Sequence, residues 1–173
     1  MAQVVSQDSL ILQRRKWKDN GQCVVFVSGC FDLLHPGHIR LLEQARSHGD
    51  ILIVGVQSDA SFRNAHAGVA GTGELSSKRA SRPITPGAER AEILAALAAV
   101  DYVVEFDDPS PARLIGSLGP DIVVEGAAAP VKPEKDTAAR SPESLSPKLV
   151  RILLEPGYST SRLIERIQQQ PGA

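Results

Sequence analysis

The stretch that decides the fold is Cys23-Val24-Val25-Phe26-Val27-Ser28-Gly29-Cys30-Phe31-Asp32-Leu33-Leu34-His35-Pro36-Gly37-His38. Residues 23–27 are a short continuous apolar run, the pattern of a strand buried on both faces of a parallel sheet. Residues 37–48 follow with Ile39, Leu42 and Ala45 on one helical face. Ile51 to Val56 is a second buried run. Strand, helix and strand within about 35 residues make one βαβ unit. In an open parallel sheet, ligands bind beyond the carboxyl ends of the strands, so residues 28–38 lie where chemistry is expected. Pro36 suits the first helical position and Gly37 keeps side chains away from a ligand, so the helix start offers bare N–H groups and a positive dipole end to an anion. His35 and His38, three apart, can flank that anion and steady charge growing on a phosphate in a transition state.

Outward from this unit the alternation continues. Residues 8–19 read as a short amphipathic helix capped at Asp8-Ser9 and ending near Asn20-Gly21. Residues 60–86 lack periodicity and read as a long loop with a helical turn near Phe62; 61–82 is expected to be mobile. Pro86-Gly87 opens a helix through Ala99, Tyr102–Phe106 is a third strand, Pro111–Leu118 a helix and Asp121–Val124 a fourth strand. Residues 126–147, rich in Pro, Ala and Ser, read as a second mobile connection. Leu149–Leu154 is a fifth strand, and Ser159 or Thr160 caps the last helix. The expectation is an α/β fold: one domain over 1–173 with an N-terminal helix within 1–21 and about five parallel strands flanked by helices.

Composition narrows the class. The chain has 173 residues, 19 Lys plus Arg and 20 Asp plus Glu, for a net charge of −1. That balance carries no electrostatic footprint for nucleic acid. No apolar run reaches the roughly 18 residues that span a membrane. The basic cluster at Arg14-Arg15-Lys16 follows the apolar Leu10-Ile11-Leu12, the reverse of a secretory signal. Two cysteines, Cys23 and Cys30, are too few for a disulfide scaffold, so a reducing cytoplasm is expected.

Competing readings exist for each motif. An isolated His-x-x-His is more often a helix cap with two surface histidines; the buried strand before it and Pro36-Gly37 at the helix start favour function. Cys30, His35 and His38 could supply three zinc ligands, but no second cluster with finger spacing follows, and no metal ligand is assigned. Gly68, Gly71 and Gly73 are not a phosphate loop, since no Lys-Ser/Thr follows at the required spacing.

The stretch Gly29–His38 resembles the His-x-Gly-His signature of the nucleotidyltransferase superfamily, which includes cytidylyl- and adenylyltransferases. The resemblance extends to Val54–Ala60, to Lys78 with Arg82-Pro83, to Glu89-Arg90, to Leu97–Val104, and to Gly157-Tyr158-Ser159-Thr160-Ser161. It covers about residues 22–126 and 149–168 and is strongest with the heptose 1-phosphate adenylyltransferase branch. It implies a Rossmann-like domain that transfers AMP from ATP, with Mg²⁺, to a phosphorylated acceptor such as a sugar 1-phosphate. The nucleophile is then an already ionised phosphate oxygen, so alignment and charge neutralisation matter more than a general base.

The same resemblance implies the site residues. His35, His38 and Lys78 would be catalytic. Gly29, Cys30, Phe31, Gly37, Gly126, Ser159, Thr160 and Ser161 would line the nucleotide, the last three at its β- and γ-phosphates. Asp32, Asp59, Arg82 and Arg90 would meet the acceptor. A homodimer is suggested, and 173 residues leave no space for a separate kinase domain. The sequence departs from the branch after the fourth strand. Where Lys-Gly-Gly-Asp-aromatic is usual, it reads Glu125-Gly126-Ala127-Ala128-Ala129; Ser28 stands where Asn is common. These changes point to an altered acceptor or base pocket. Two other readings stay open: a CTP-dependent cytidylyltransferase for glycerol 3-phosphate or a similar polyol phosphate, and a catalytically silent nucleotide-binding module.

Overall fold

A computed structural model describes residues 2–67, 82–127 and 146–170. In chain order the elements are β1 (Gln3–Val4), α1 (Gln7–Asp19), β2 (Val24–Gly29), α2 (Pro36–Arg46), β3 (Ile51–Gln57), α3 (Asp59–Ala67), α4 (Gly87–Ala95), β4 (Tyr102–Phe106), α5 (Ala112–Leu118), β5 (Ile122–Ala127), β6 (Lys148–Leu153) and α6 (Thr160–Gln169). The strands form one parallel sheet in the order β1-β4-β3-β2-β5-β6.

Alternation along β2 explains why the sheet is covered on both sides. Val25 and Val27 face a cluster with Leu42 and Ala45 of α2 and Ala91 and Leu94 of α4. Val24 and Phe26 face the opposite cluster with Leu10 and Trp17 of α1 and Leu114 and Leu118 of α5. Fully burying one such side chain is worth about 1.5–3 kcal/mol. An acidic residue before three strands secures the amino edge. Asp50, Asp121 and Asp101 accept the N–H groups of Cys23, Val24 and Leu52 over 2.8, 2.7 and 2.8 Å. The chain proceeds from β2 to β3 and β4 on one side, then places β5 and β6 on the other. The carboxyl end of β2 therefore lies where the strand order reverses, the place for a crevice.

The expected parallel sheet of about five strands has six among the described residues, the extra one where Gln3 and Val4 pair with Tyr102 and Val103; two exposed residues leave no periodicity to read. Two other expectations need correction. Residues 59–67 are a helix, not part of a loop. Ser58 Oγ accepts the Ser61 N–H over 3.1 Å, and Phe62 is buried. Capping and one anchor suffice there without an apolar stripe. Residues 126 and 127 continue β5 rather than a loop, because they pair with Ile152 and Leu153. Of the two proposed mobile stretches, residues 68–81 and 128–145 lie outside the described residues.

Candidate active site

Beyond Gly29 the chain leaves the sheet in a tight loop. Phe31 (φ 52°) and Leu33 (φ 47°) both adopt left-handed backbone, which costs an L residue roughly 1–2 kcal/mol. Phe31 is buried, with its ring edge-on to His38 at 5.5 Å. The loop ends at His35, the N-cap of α2, whose carbonyl accepts the His38 N–H over 2.9 Å. Pro36 occupies the first turn. Gly37 permits a close approach: a Cβ there would lie 3.1 Å from His35 Nδ1 and 3.1 Å from Tyr158 Cβ.

The two imidazoles stack, with ring centroids 3.8 Å apart and planes 14° from parallel. Both Nδ1 atoms are buried, and neither has a hydrogen-bond partner among the described residues. Burial lowers the pKa of His35. Burial first, then repulsion from His35, lowers that of His38 to about 4. Both shifts favour the uncharged ring at neutral pH, a form that keeps one N–H to donate.

Asp32 is buried, and its carboxylate is satisfied by the protein. One oxygen accepts the N–H groups of Ile84 and Thr85 over 3.0 and 3.1 Å; the other accepts Arg82 Nε over 3.0 Å. Arg82 also sits over the Phe62 ring at 5.5 Å. The Asp32 carbonyl accepts the Thr160 hydroxyl over 2.8 Å. Asp32 thereby joins the signature loop, the 82–85 segment and the start of α6. At that helix start, Ser159 is the N-cap, and its Oγ accepts the Arg162 N–H over 3.2 Å. Ser161 is exposed. Gly157 turns the chain into α6 with φ 91°, a conformation that favours glycine.

Arg90 is only 1% exposed, and all three of its guanidinium nitrogens donate hydrogen bonds. It donates to the carbonyls of Thr85 and Gln57, each over 2.9 Å, and to that of Cys30. It also donates to Asp59 Oδ1 over 2.5 Å. A residue expected to meet substrate thus ties the ends of β2 and β3 to the 82–85 segment. Desolvation raises the pKa of the adjacent Cys30 thiol, which makes it a poor nucleophile.

A cavity of about 340 Å³ runs from His35 and Ser159 along α6, lined also by Tyr158, Arg162, Glu165 and Arg166. The N-cap residues of α2 and α6 both face it. Tyr158 stacks toward His35 at 6.3 Å and carries the Arg40 guanidinium over its ring at 5.4 Å. Tyr158, Arg162 and Arg40 were not singled out by sequence. The Gly-Tyr-Ser-Thr-Ser motif contained Tyr158, but nothing local showed that it would meet a histidine in the first third of the chain.

On β5, Glu125 stands opposite Arg151 of β6 in the ladder, with Oε2 3.5 Å from Arg151 Nε. The unusual negative charge thus has a cross-strand partner. Gly126 follows on the same strand, opposite Ile152. Lys78, Ala128 and Ala129 lie outside the described residues. Among the described residues no group of three or more His, Cys, Asp or Glu side chains is placed to hold a metal ion, and no helix is long and apolar enough to cross a membrane.

A doubly wound parallel sheet, with a signature loop and helix start following the strand at its switch point, is the architecture of nucleotide-binding α/β domains. The sequence model of the cytidylyltransferase-like family matches residues 26–166, and the chain belongs to that family. It is 40% identical over 167 residues to the bifunctional protein HldE of Geotalea uraniireducens, covering 96% of this chain and 31% of that protein. Against the bifunctional protein HldE of Syntrophotalea carbinolica it is 43% identical over 161 residues, covering 93% and 29%. The chain spans under a third of the length of these relatives. A crystal structure of the lipopolysaccharide core biosynthesis protein from Thermoplasma volcanium shares the fold, with a TM-score of 0.53 at 22% identity over 78% of this chain and 99% of that one.

Proposed function

We propose that this chain is a nucleotidyltransferase that moves AMP from ATP to a sugar 1-phosphate of the heptose 1-phosphate kind, releasing pyrophosphate. The observation that carries the reading is the cavity between His35 and Ser159, which sets the N-caps of two helices against one space. Two positive helix ends suit a triphosphate better than a single phosphate. A phosphate oxygen of the acceptor attacks the α-phosphorus, and the bond to the leaving pyrophosphate breaks. The uncharged His35 and His38 rings donate N–H bonds to the α-phosphate oxygens as negative charge shifts among them. The N–H groups at the start of α6, with Ser159 and Ser161, hold the leaving pyrophosphate.

Lys78 and a homodimer remain parts of the proposal. Arg82, Arg90, Asp32 and Asp59 serve it by holding the walls in place, since the protein itself engages their charges. Magnesium belongs to the proposal as a companion of the nucleotide that neutralises phosphate charge, because this ion is usually held by substrate phosphates with one or two carboxylates. Asp32 does not fit as its protein ligand, with both oxygens already accepting N–H bonds.

Similarity to the HldE proteins supports the adenylyl reading, and the family's description keeps a CTP-dependent reading as second. A pyrophosphate-release screen of ATP and CTP against heptose 1-phosphate, other sugar 1-phosphates and glycerol 3-phosphate separates them. Release with ATP and a sugar 1-phosphate supports the first reading. Release confined to CTP and a polyol phosphate supports the second. Silence with every pair rejects both.

A further inference from the structure

The geometry points to Thr160 as a positioning residue that latches α6 onto the signature loop through its hydroxyl, in place of the phosphate contact its motif suggests. The inference rests on the nucleotidyl-transfer reading for its catalytic consequence and on the structure alone for the latch. Thr160 is the one buried side chain of α6. Ile167, on the apolar side of that helix, is 63% exposed, and Leu163 and Ile164 are only half-buried. Apolar burial therefore does little to hold this helix in place.

Its hydroxyl instead donates to the Asp32 carbonyl over 2.8 Å, across 128 residues of sequence. A hydroxyl has one proton to donate. While Asp32 receives it, none is left for a phosphate oxygen, which can only accept. The carbonyl it reaches lies between Phe31 and Leu33, the two left-handed residues of the loop. This bond joins the helix that would hold pyrophosphate directly to the loop that carries His35 and His38. Before α6 begins, Tyr158 meets His35 and Arg40, and Arg40 pairs with Glu155 at 2.5 Å, with side chains 44% and 41% exposed. Exposed pairs of this kind contribute little.

The test uses the full chain as wild type, Thr160→Val and Thr160→Ser. Val keeps the shape and removes the hydroxyl; Ser keeps the hydroxyl. Amide hydrogen exchange is followed without nucleotide. The latch predicts that amides 163–169 exchange about tenfold faster in Thr160→Val, the loss expected for one buried hydrogen bond. Amides of β2 and β3 keep their protection, and Thr160→Ser restores most of the α6 protection. With ATP and a sugar 1-phosphate, kcat for pyrophosphate release falls about tenfold in Thr160→Val and is largely recovered in Thr160→Ser.

Wild-type exchange of α6 in Thr160→Val would overturn the latch, whatever happens to activity. So would a Thr160→Ser protein whose α6 is as loose as in the Val variant, a comparison that decides even if Val loosens the whole fold. If wild type turns over no substrate pair, the functional reading falls while the exchange experiment still decides the latch.

Discussion

The imidazoles of His35 and His38 stack 3.8 Å apart at the start of α2. Two positive charges at that spacing repel, and burial adds to the cost of charging either ring. Both effects favour uncharged rings. In the proposed reaction such rings would donate to charge that shifts only as the α-phosphate reacts.

His35→Ala and His38→Ala are expected to lower kcat by about 10²–10³ each, with a much smaller change in nucleotide affinity. Single-turnover measurements beside equilibrium nucleotide binding check this. Unchanged turnover in either variant removes that residue from the mechanism.

The depressed His38 pKa links stability to pH. In the unfolded chain the ring takes up a proton near 6.5; in the folded chain it does so near 4. Between these values the unfolded state binds more protons, so stability falls as pH drops from 6.5 toward 4. Tm measured across that window should fall less steeply in His38→Asn than in wild type. Parallel slopes would show that His38 titrates normally in the folded protein.

Arg90→Met is expected to cost about 3 kcal/mol, which lowers Tm by roughly 6–12 °C. The variant leaves Asp59 and three carbonyls without their donor. The figure is at the low end for a broken buried pair because the Asp59 side chain is 30% exposed. A Tm within about 2 °C of wild type would mean that the four bonds are dispensable.

The Glu125–Arg151 pair sharpens the question of the altered pocket. Restoring Lys at 125 and Asp at 128 is expected to raise kcat/KM for heptose 1-phosphate by about tenfold for each interaction regained with the acceptor. Glu125→Lys alone places two cations opposite each other and should cost about 0.2–1 kcal/mol, recovered in Glu125→Lys with Arg151→Glu. Urea denaturation of the single and double variants reads the stability term. Restoration without effect in a wild type that is already fast would show that the pocket is built differently.

The layers of this fold were legible because apolar runs such as Val24–Val27 and Ile51–Val54 need no partner information to be read. The site loop was legible for the same reason, with Pro36 and Gly37 marking where its helix starts. What could not be read was which charges meet. Asp32, Arg82 and Arg90 look alike as polar residues near a ligand. Only the fold shows Arg82 bonded to Asp32, 50 positions away, and Arg90 bonded to Cys30, 60 positions away. The Thr160 hydroxyl is the extreme case, because its motif favours phosphate and its partner lies in the first third of the chain. Helix α3 stayed hidden because Ser58 and Phe62 hold it without a repeating pattern.

The most direct measurement is ³¹P NMR of wild type, His35→Ala and His38→Ala incubated with Mg²⁺–ATP and heptose 1-phosphate. Wild type is expected to form a nucleoside diphosphate-sugar and pyrophosphate in equal amounts, with both products slowed about 10²-fold or more in each variant. Product formed at the wild-type rate by either variant, or a nucleotide consumed without the diphosphate-sugar, would contradict the proposed transfer.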